Sequence, residues 1–241
     1  MNTIVSTTTS SRELNEFREA TRSLTSVLAP IEKRTLTWLA HRMPSWVNSD
    51  HLTGLALIAM LLAGLSYWLA RVTPVGLLLV VVCLAVNWFG DSLDGTLARV
   101  RQHQRPRYGF YVDHLVDAFG ALFLLGGLGL SGYMSPFVAF ALLAAYLLLL
   151  IETFLATYAL RTFTMSYFKI GPTELRILLA IGNLVLLVHP MADVFGREYR
   201  LFDVGGAVAI CGLLATLGFA AVTNTRALYM AEPLPGSTDR R

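Results

Sequence analysis

The sequence predicts an all-α membrane protein: six transmembrane helices preceded by a cytoplasmic amphipathic helix at the interface. Three observations carry that prediction. The 241 residues are 55% apolar and 15% charged, with a mean hydropathy of +0.57, a composition typical of bilayer-spanning chains. Six long apolar segments alternate with short polar ones. The lysines and arginines are distributed very unevenly between the two sets of connecting loops.

Residues 1–27 are polar and rich in Ser and Thr, with no apolar core of the kind a signal peptide needs. They are expected to form a mobile tail and not a cleaved leader. Residues 28–47 interleave Ile31, Leu36, Trp38, Leu39, Met43 and Trp46 with Lys33, Arg34 and Arg42. That pattern predicts a helix lying in the membrane interface, interrupted near Pro44, with an ordinary loop as the alternative. Residues 48–228 form the six-helix domain, and 229–241 a polar tail.

The apolar segments run His51–Ala70, Pro74–Phe89, Tyr108–Gly132, Pro136–Ala159, Glu174–Val188 and Phe202–Thr223. The second and fifth hold only about 15 wholly apolar residues, short of the roughly 20 that span a bilayer. Each gains length from polar residues at one end: Asp91 and Asp94 in one, Glu174 and Arg176 in the other. Of the 19 lysines and arginines, only Arg71, Arg197 and Arg200 fall on the side opposite the termini. The positive-inside rule therefore places both termini and those polar ends in the cytoplasm, which for a bacterial protein means the inner membrane. Cys83 and Cys211 lie in apolar runs and read as small buried or lipid-facing residues; no zinc spacing exists.

Four carboxylates stand out. They occur in Asp91-Ser-Leu-Asp94-Gly95-Thr-Leu-Ala98-Arg99 and in Gly109-Phe-Tyr-Val-Asp113-His-Leu-Val-Asp117. A carboxylate at the centre of a spanning helix costs roughly 2.5–3.5 kcal/mol, and intramembrane ionisable residues mark functional sites. Positions 91, 94, 95, 98 and 99 share one helix face, as do 113 and 117. Counted from Gln104 in the intervening turn, Asp91 and Asp117 are equally distant, and Asp94 and Asp113 nearly so. An antiparallel hairpin would bring the four to two matched levels. Four clustered carboxylates repel unless they share cations, and hard oxygen donors suit Mg²⁺, Mn²⁺ or Ca²⁺. Two divalent ions, Mg²⁺ or Mn²⁺, are the expected cofactors.

The run resembles the signature of the CDP-alcohol phosphatidyltransferases, D-x2-D-G-x2-A-R-x8–9-G-x3-D-x3-D. Asp91, Asp94, Gly95, Ala98, Arg99, Gly109, Asp113 and Asp117 fill every defining position. The resemblance extends over the six-helix architecture and its amphipathic prelude, roughly residues 30 to 228. It implies an enzyme of phospholipid synthesis in which an alcohol displaces CMP from a CDP-linked donor. It implies further that Asp91, Asp94 and Asp113 hold metal, with Asp117 sharing it and acting as the base. Gly95 and Ala98 would let the nucleotide lie against the helix, Arg99 would meet its phosphates, and Gly109 would leave room. A homodimer is also implied. The expected partners are the CDP-linked lipid, the alcohol and membrane lipids; no nucleic acid is expected.

Other residues leave alternatives open. His114 follows Asp113, as in the family branch that transfers phosphocholine or phosphoethanolamine to diacylglycerol; it contacts phosphate or takes part in catalysis there, or else packs between helices. Thr173, Glu174 and Arg176 follow Gly171-Pro172; they either signal a helix start or face an acceptor pocket. Arg161, Lys169 and Arg176 could bind a phosphorylated acceptor. Glu152 must face protein or a cavity, as a structural partner or an acceptor contact. Asp50 stands where many family members have Asn, which alters the donor side. The favoured reaction transfers a phosphatidyl group from CDP-diacylglycerol to a polar alcohol. The alternative moves phosphocholine or phosphoethanolamine from a CDP-aminoalcohol to diacylglycerol. A divalent-cation transporter is the rival from another class, but no acidic ladder crosses the apolar segments.

Overall fold

The structure, a computed structural model, describes residues 29–160 and 172–232. The two predicted tails, and Arg161 and Lys169, lie outside the described residues, apart from the tail residues 229–232. In chain order the elements are α1 (Ala29–Arg42), α2 (Ser49–Leu69), α3 (Val75–Val100), α4 (Pro106–Ser131), α5 (Pro136–Leu160), α6 (Pro172–Leu186), β1 (Met191–Val194), β2 (Arg197–Arg200) and α7 (Leu201–Ala231). Among the described residues five helices, α2 to α5 and α7, are long and apolar enough to cross a membrane. The protein is an all-α membrane protein with one small hairpin. α6 has 15 residues.

Local signals set the helix limits. Asn48 caps α2: its side-chain oxygen accepts from His51 N at 2.9 Å, and His51 Nδ1 accepts from Asn48 N at 3.3 Å. This reciprocal pair satisfies two amides that a helix start leaves open. α4 begins with Pro106 and ends on Gly132, whose φ of 87° only glycine adopts freely. α1 stops at Arg42, just before Pro44. α7 continues to Ala231, eight residues past the predicted Thr223.

The hairpin was not foreseen. β1 and β2 pair antiparallel with Val194 opposite Arg197. Phe195 and Gly196 form the two-residue loop with φ of 56° and 78°, both left-handed, as a hairpin turn of this twist requires. Strands of four residues give too little periodicity to be read from the sequence.

α2 is the hub of the bundle. It packs closely on α3 along its length and also on α4; α3 in turn contacts α1 and α6, α4 contacts α5, and α5 contacts α7. Small residues allow the close crossings. Ala56, Ala59, Ala63 and Gly64 of α2 are buried. A methyl group on Gly64 would collide with the backbone of Phe123, and one on Gly127 with that of Gly64. A methyl on Gly90 would sit 2.6 Å from the Leu52 carbonyl oxygen. Without a hydrophobic drive between helices in lipid, such backbone approach supplies the dispersion contact that holds them.

Two apolar clusters result. One gathers Tyr67, Leu77, Val80, Leu84, Leu128 and Phe202 with their neighbours. Within it, the Asn183 amide donates to the Tyr67 hydroxyl at 2.8 Å and joins α6 to α2. The other joins Leu36 and Ala40 of α1 to Val47, Leu52, Leu93 and Leu97. It lies at the end of the bundle that carries the acidic motif.

α3 and α4 follow one another across the short turn from Arg101 to Arg105. The two motif helices do not pack against each other. Both pack on α2. Facing carboxylates repel and offer no apolar seam, whereas α2 offers small residues to both sides.

Candidate active site

The first half of the motif is held from two sides, by α2 and α6. Thr53 Oγ1 donates to Asp94 Oδ2 at 2.6 Å, and Ser49 Oγ to the Asp94 carbonyl at 2.8 Å. Both hydroxyls come from the first turns of α2, so the capped start of that helix fixes the depth of Asp94. Arg176 of α6 donates to Asp91 Oδ2 at 2.6 Å, and both side chains are largely buried, at 17% and 23% exposure. A guanidinium beside a carboxylate in such a place offsets a desolvation cost that either charge alone would carry.

The second half interacts electrostatically with the first. Asp94 lies within the electrostatic field of both Asp113 and Asp91. The hydroxyl of Tyr146 on α5 lies in the field of Asp117, Arg176, Asp91 and Asp113. The four motif carboxylates thus act on common ground from α3 and α4, and the α6 cation shares it.

Gly95, Ala98 and Arg99 line the α3 side, and Gly109 lies in the first turn of α4. A methyl on Gly95 would meet only the Arg99 guanidinium, at 3.5 Å, so Arg99 folds back over Gly95. Arg99 also donates to Thr96 Oγ1 at 3.0 Å. Gly109 has open space beside it, and Ala98 is half-buried.

His114 is buried and packs between helices. Its Nδ1 lies 2.6 Å from the Phe110 carbonyl oxygen. Its ring rests on Phe110 and meets the edge of Phe154 on α5, with centroids 4.2 and 5.0 Å away. Glu152 takes a hydrogen bond from Asn224 of α7 at 2.7 Å. Asp50 is taken up by Arg105, with N–O distances of 2.6 Å to both oxygens. Asp50 holds the Arg105 guanidinium above its ordinary pKa by that hydrogen bond, and Arg105 stacks 4.1 Å over Tyr108.

Four residues at this end went unrecognised in the sequence: Glu32, Ser49, Thr53 and Tyr146. Ser49 and Thr53 are four apart at a helix start, a spacing that puts two hydroxyls on one face; that signal was available. Tyr146 sits in an apolar run, and nothing in its neighbours marks it.

All-oxygen donors of this kind fit a hard divalent cation. In the side-chain arrangement seen, no three of the described His, Cys, Asp and Glu residues converge as a metal cage. Asp91 is engaged by Arg176 and Asp94 by Thr53. The residues fit in kind and neighbourhood, with the Arg176 guanidinium as the cation at Asp91.

A helical membrane bundle with acidic and basic side chains gathered at one end defines an integral membrane protein with a polar reaction site. The profile of the CDP-alcohol phosphatidyltransferase family matches residues 46–220. The chain belongs to this family and is a transferase of phospholipid synthesis that uses a CDP-linked donor and an alcohol acceptor. The match begins beyond α1. A search of curated proteins finds no match.

Proposed function

We propose that this enzyme transfers the phosphatidyl group of CDP-diacylglycerol to a polar alcohol and releases CMP. The observation that carries this reading is the Arg176–Asp91 pair, which sets a cation among the motif carboxylates at 2.6 Å. A soluble acceptor with an anionic group needs such a cation beside the reacting phosphorus. The alternative, with a CDP-aminoalcohol donor, rests on His114 and on the Thr173-Glu174 pair. The packing of His114 against Phe110 and Phe154 and the engagement of Thr173 by Glu32 leave both with other work.

In this reading Asp91, Asp94, Asp113 and Asp117 hold two divalent ions, Mg²⁺ or Mn²⁺. When bound, these ions neutralise the pyrophosphate and the departing CMP. Thr53 and Ser49 keep Asp94 at its depth. Gly95 and Ala98 let the nucleotide approach α3, and Arg99, folded over Gly95, meets the donor phosphates as a planar fork. Asp117 takes the proton of the attacking hydroxyl. The acceptor enters beside Arg176 and Glu174, with Lys169 and Arg161 supplying further charge.

The wider arrangement belongs to the same proposal. α6, lengthened at its polar end by Glu174 and Arg176, makes a sixth crossing, and α1 lies in the interface as an amphipathic helix. Residues 48–228 act as one catalytic unit, in an inner membrane with the site and both termini cytoplasmic. Two copies associate as a homodimer. The charge asymmetry of the loops and the exposed Ile31, Trp38 and Trp46 support the placement.

The test is CMP release by purified protein. CDP-diacylglycerol should be turned over with one of glycerol 3-phosphate, inositol phosphate or serine, in the presence of Mg²⁺ or Mn²⁺. Release only with CDP-choline or CDP-ethanolamine and diacylglycerol would replace this reading with its alternative.

A further inference from the structure

Glu32 lies on α1, outside the part of the chain that matches the family, yet it is tied to both walls of the site. Its Oε1 accepts from Trp88 Nε1 at 2.9 Å and from Ser92 Oγ at 3.2 Å, both on α3. The same oxygen accepts from Thr173 Oγ1 at 2.8 Å, at the start of α6. Each donor has a neighbour that matters. Ser92 adjoins Asp91, and Thr173 precedes Arg176 by three residues, so the two share a helix face. Asp91 and Arg176 are themselves paired at 2.6 Å. The result is a closed loop of contacts: Glu32 to Thr173, along α6 to Arg176, across to Asp91, along α3 to Ser92, and back to Glu32.

The link has a physical reason. α6 packs on α3, but its first turn follows the segment outside the described residues and starts with Pro172, which gives no amide hydrogen. A carboxylate at a helix N-terminus is favoured by the helix dipole, and its bonds to hydroxyl and indole donors are charge-assisted. One partly buried carboxylate can therefore hold the α6 start against α3.

We propose that Glu32 is a positioning residue for acceptor binding: by bridging Ser92 and Thr173 it sets where Arg176 stands relative to Asp91. This rests on the reading that the acceptor enters beside Arg176. Glu32 itself touches neither substrate. The N-terminal helix thereby becomes part of the acceptor side of the enzyme.

The test uses the full chain in lipid nanodiscs and two independent readouts. The first needs no substrate: hydrogen–deuterium exchange over residues 172–180. Glu32→Ala and Thr173→Val should each speed exchange there and leave α7 unchanged, and the double variant should add nothing to either. The second is steady-state kinetics with CDP-diacylglycerol and whichever of glycerol 3-phosphate, inositol phosphate and serine supports CMP release. Both single variants should raise acceptor KM on the order of tenfold, as loss of a hydrogen bond to a charged group does, with donor KM unchanged. Glu32→Gln, which keeps an acceptor oxygen, should restore part of the loss. Thr173→Val leaves the Glu32 bonds to α3 in place, so it decides the matter if Glu32→Ala fails to fold. Unchanged exchange over 172–180 would overturn the proposal, as would equal rises in both KM values or additive effects in the double variant. If no acceptor in the panel supports turnover, the proposed reaction fails, while the exchange result still decides whether Glu32 positions α6.

Discussion

The Arg176 guanidinium stands 2.6 Å from the Asp91 carboxylate, joining the first turns of α6 to the first acid of the motif. In the proposed reaction each member of this pair has a second partner, the acceptor's anionic group for Arg176 and a divalent ion for Asp91. Arg176→Ala should raise acceptor KM at least tenfold and donor KM much less, because the arginine is spent on one substrate only. Steady-state kinetics with each substrate varied in turn checks this. Equal effects on both would assign Arg176 to the scaffold of the metal site.

Asp117→Asn should reduce CMP release by about two to four orders of magnitude, the usual contribution of a general base, while nucleotide binding persists. Asp91→Asn and Asp94→Asn should weaken metal and nucleotide binding together. Removing divalent ions with EDTA should abolish turnover of the unaltered enzyme, and Mg²⁺ or Mn²⁺ should restore it. Calorimetric titration of CDP with and without metal separates the two classes of variant. Near-normal turnover by Asp117→Asn would move the base elsewhere.

Arg99→Lys keeps the charge but loses the planar fork. Donor KM should rise several-fold with acceptor KM unaltered, as read from CMP release at saturating acceptor. Unchanged donor KM would assign Arg99 a structural role, such as its contact to Thr96.

Two glycines on neighbouring helices should respond oppositely to alanine. At Gly90 the added methyl would lie 2.6 Å from the Leu52 carbonyl, so α2 and α3 must part, at a cost of about 1–3 kcal/mol. At Gly54 nothing lies within 4 Å, and the substitution should gain up to ~1 kcal/mol of helix propensity. Thermal melts in one detergent should show a lower Tm for Gly90→Ala and an equal or higher one for Gly54→Ala.

The helices were readable in the sequence because apolar length is a strong signal and Gly132 closes α4 where expected, while the starts marked by Asn48 and Pro106 were placed late, at His51 and Tyr108. The acidic motif was readable as a pattern because 91, 94 and 95 must share a face on any helix. What surrounds it was not. Glu32 bonds to Thr173 over 141 residues of sequence, and no local period reports such a contact. Tyr146 belongs to a run in which every neighbour is apolar. The separation of α3 from α4 depends on α2, whose small residues could have packed against any partner. The hairpin escaped because its strands are too short to show alternation.

The support of both motif helices by α2 has a consequence for how this enzyme can be taken apart. The covalent turn from Arg101 to Arg105 is not what sets the distance between the two acidic rows; each row is docked on a third helix, through Gly90 on one side and Gly127 on the other. Gln102, His103 and Gln104 are exposed, which makes the turn suited to interruption. Residues 1–102 and 103–241, made as separate polypeptides in one membrane, should therefore find each other and rebuild the same reaction chamber.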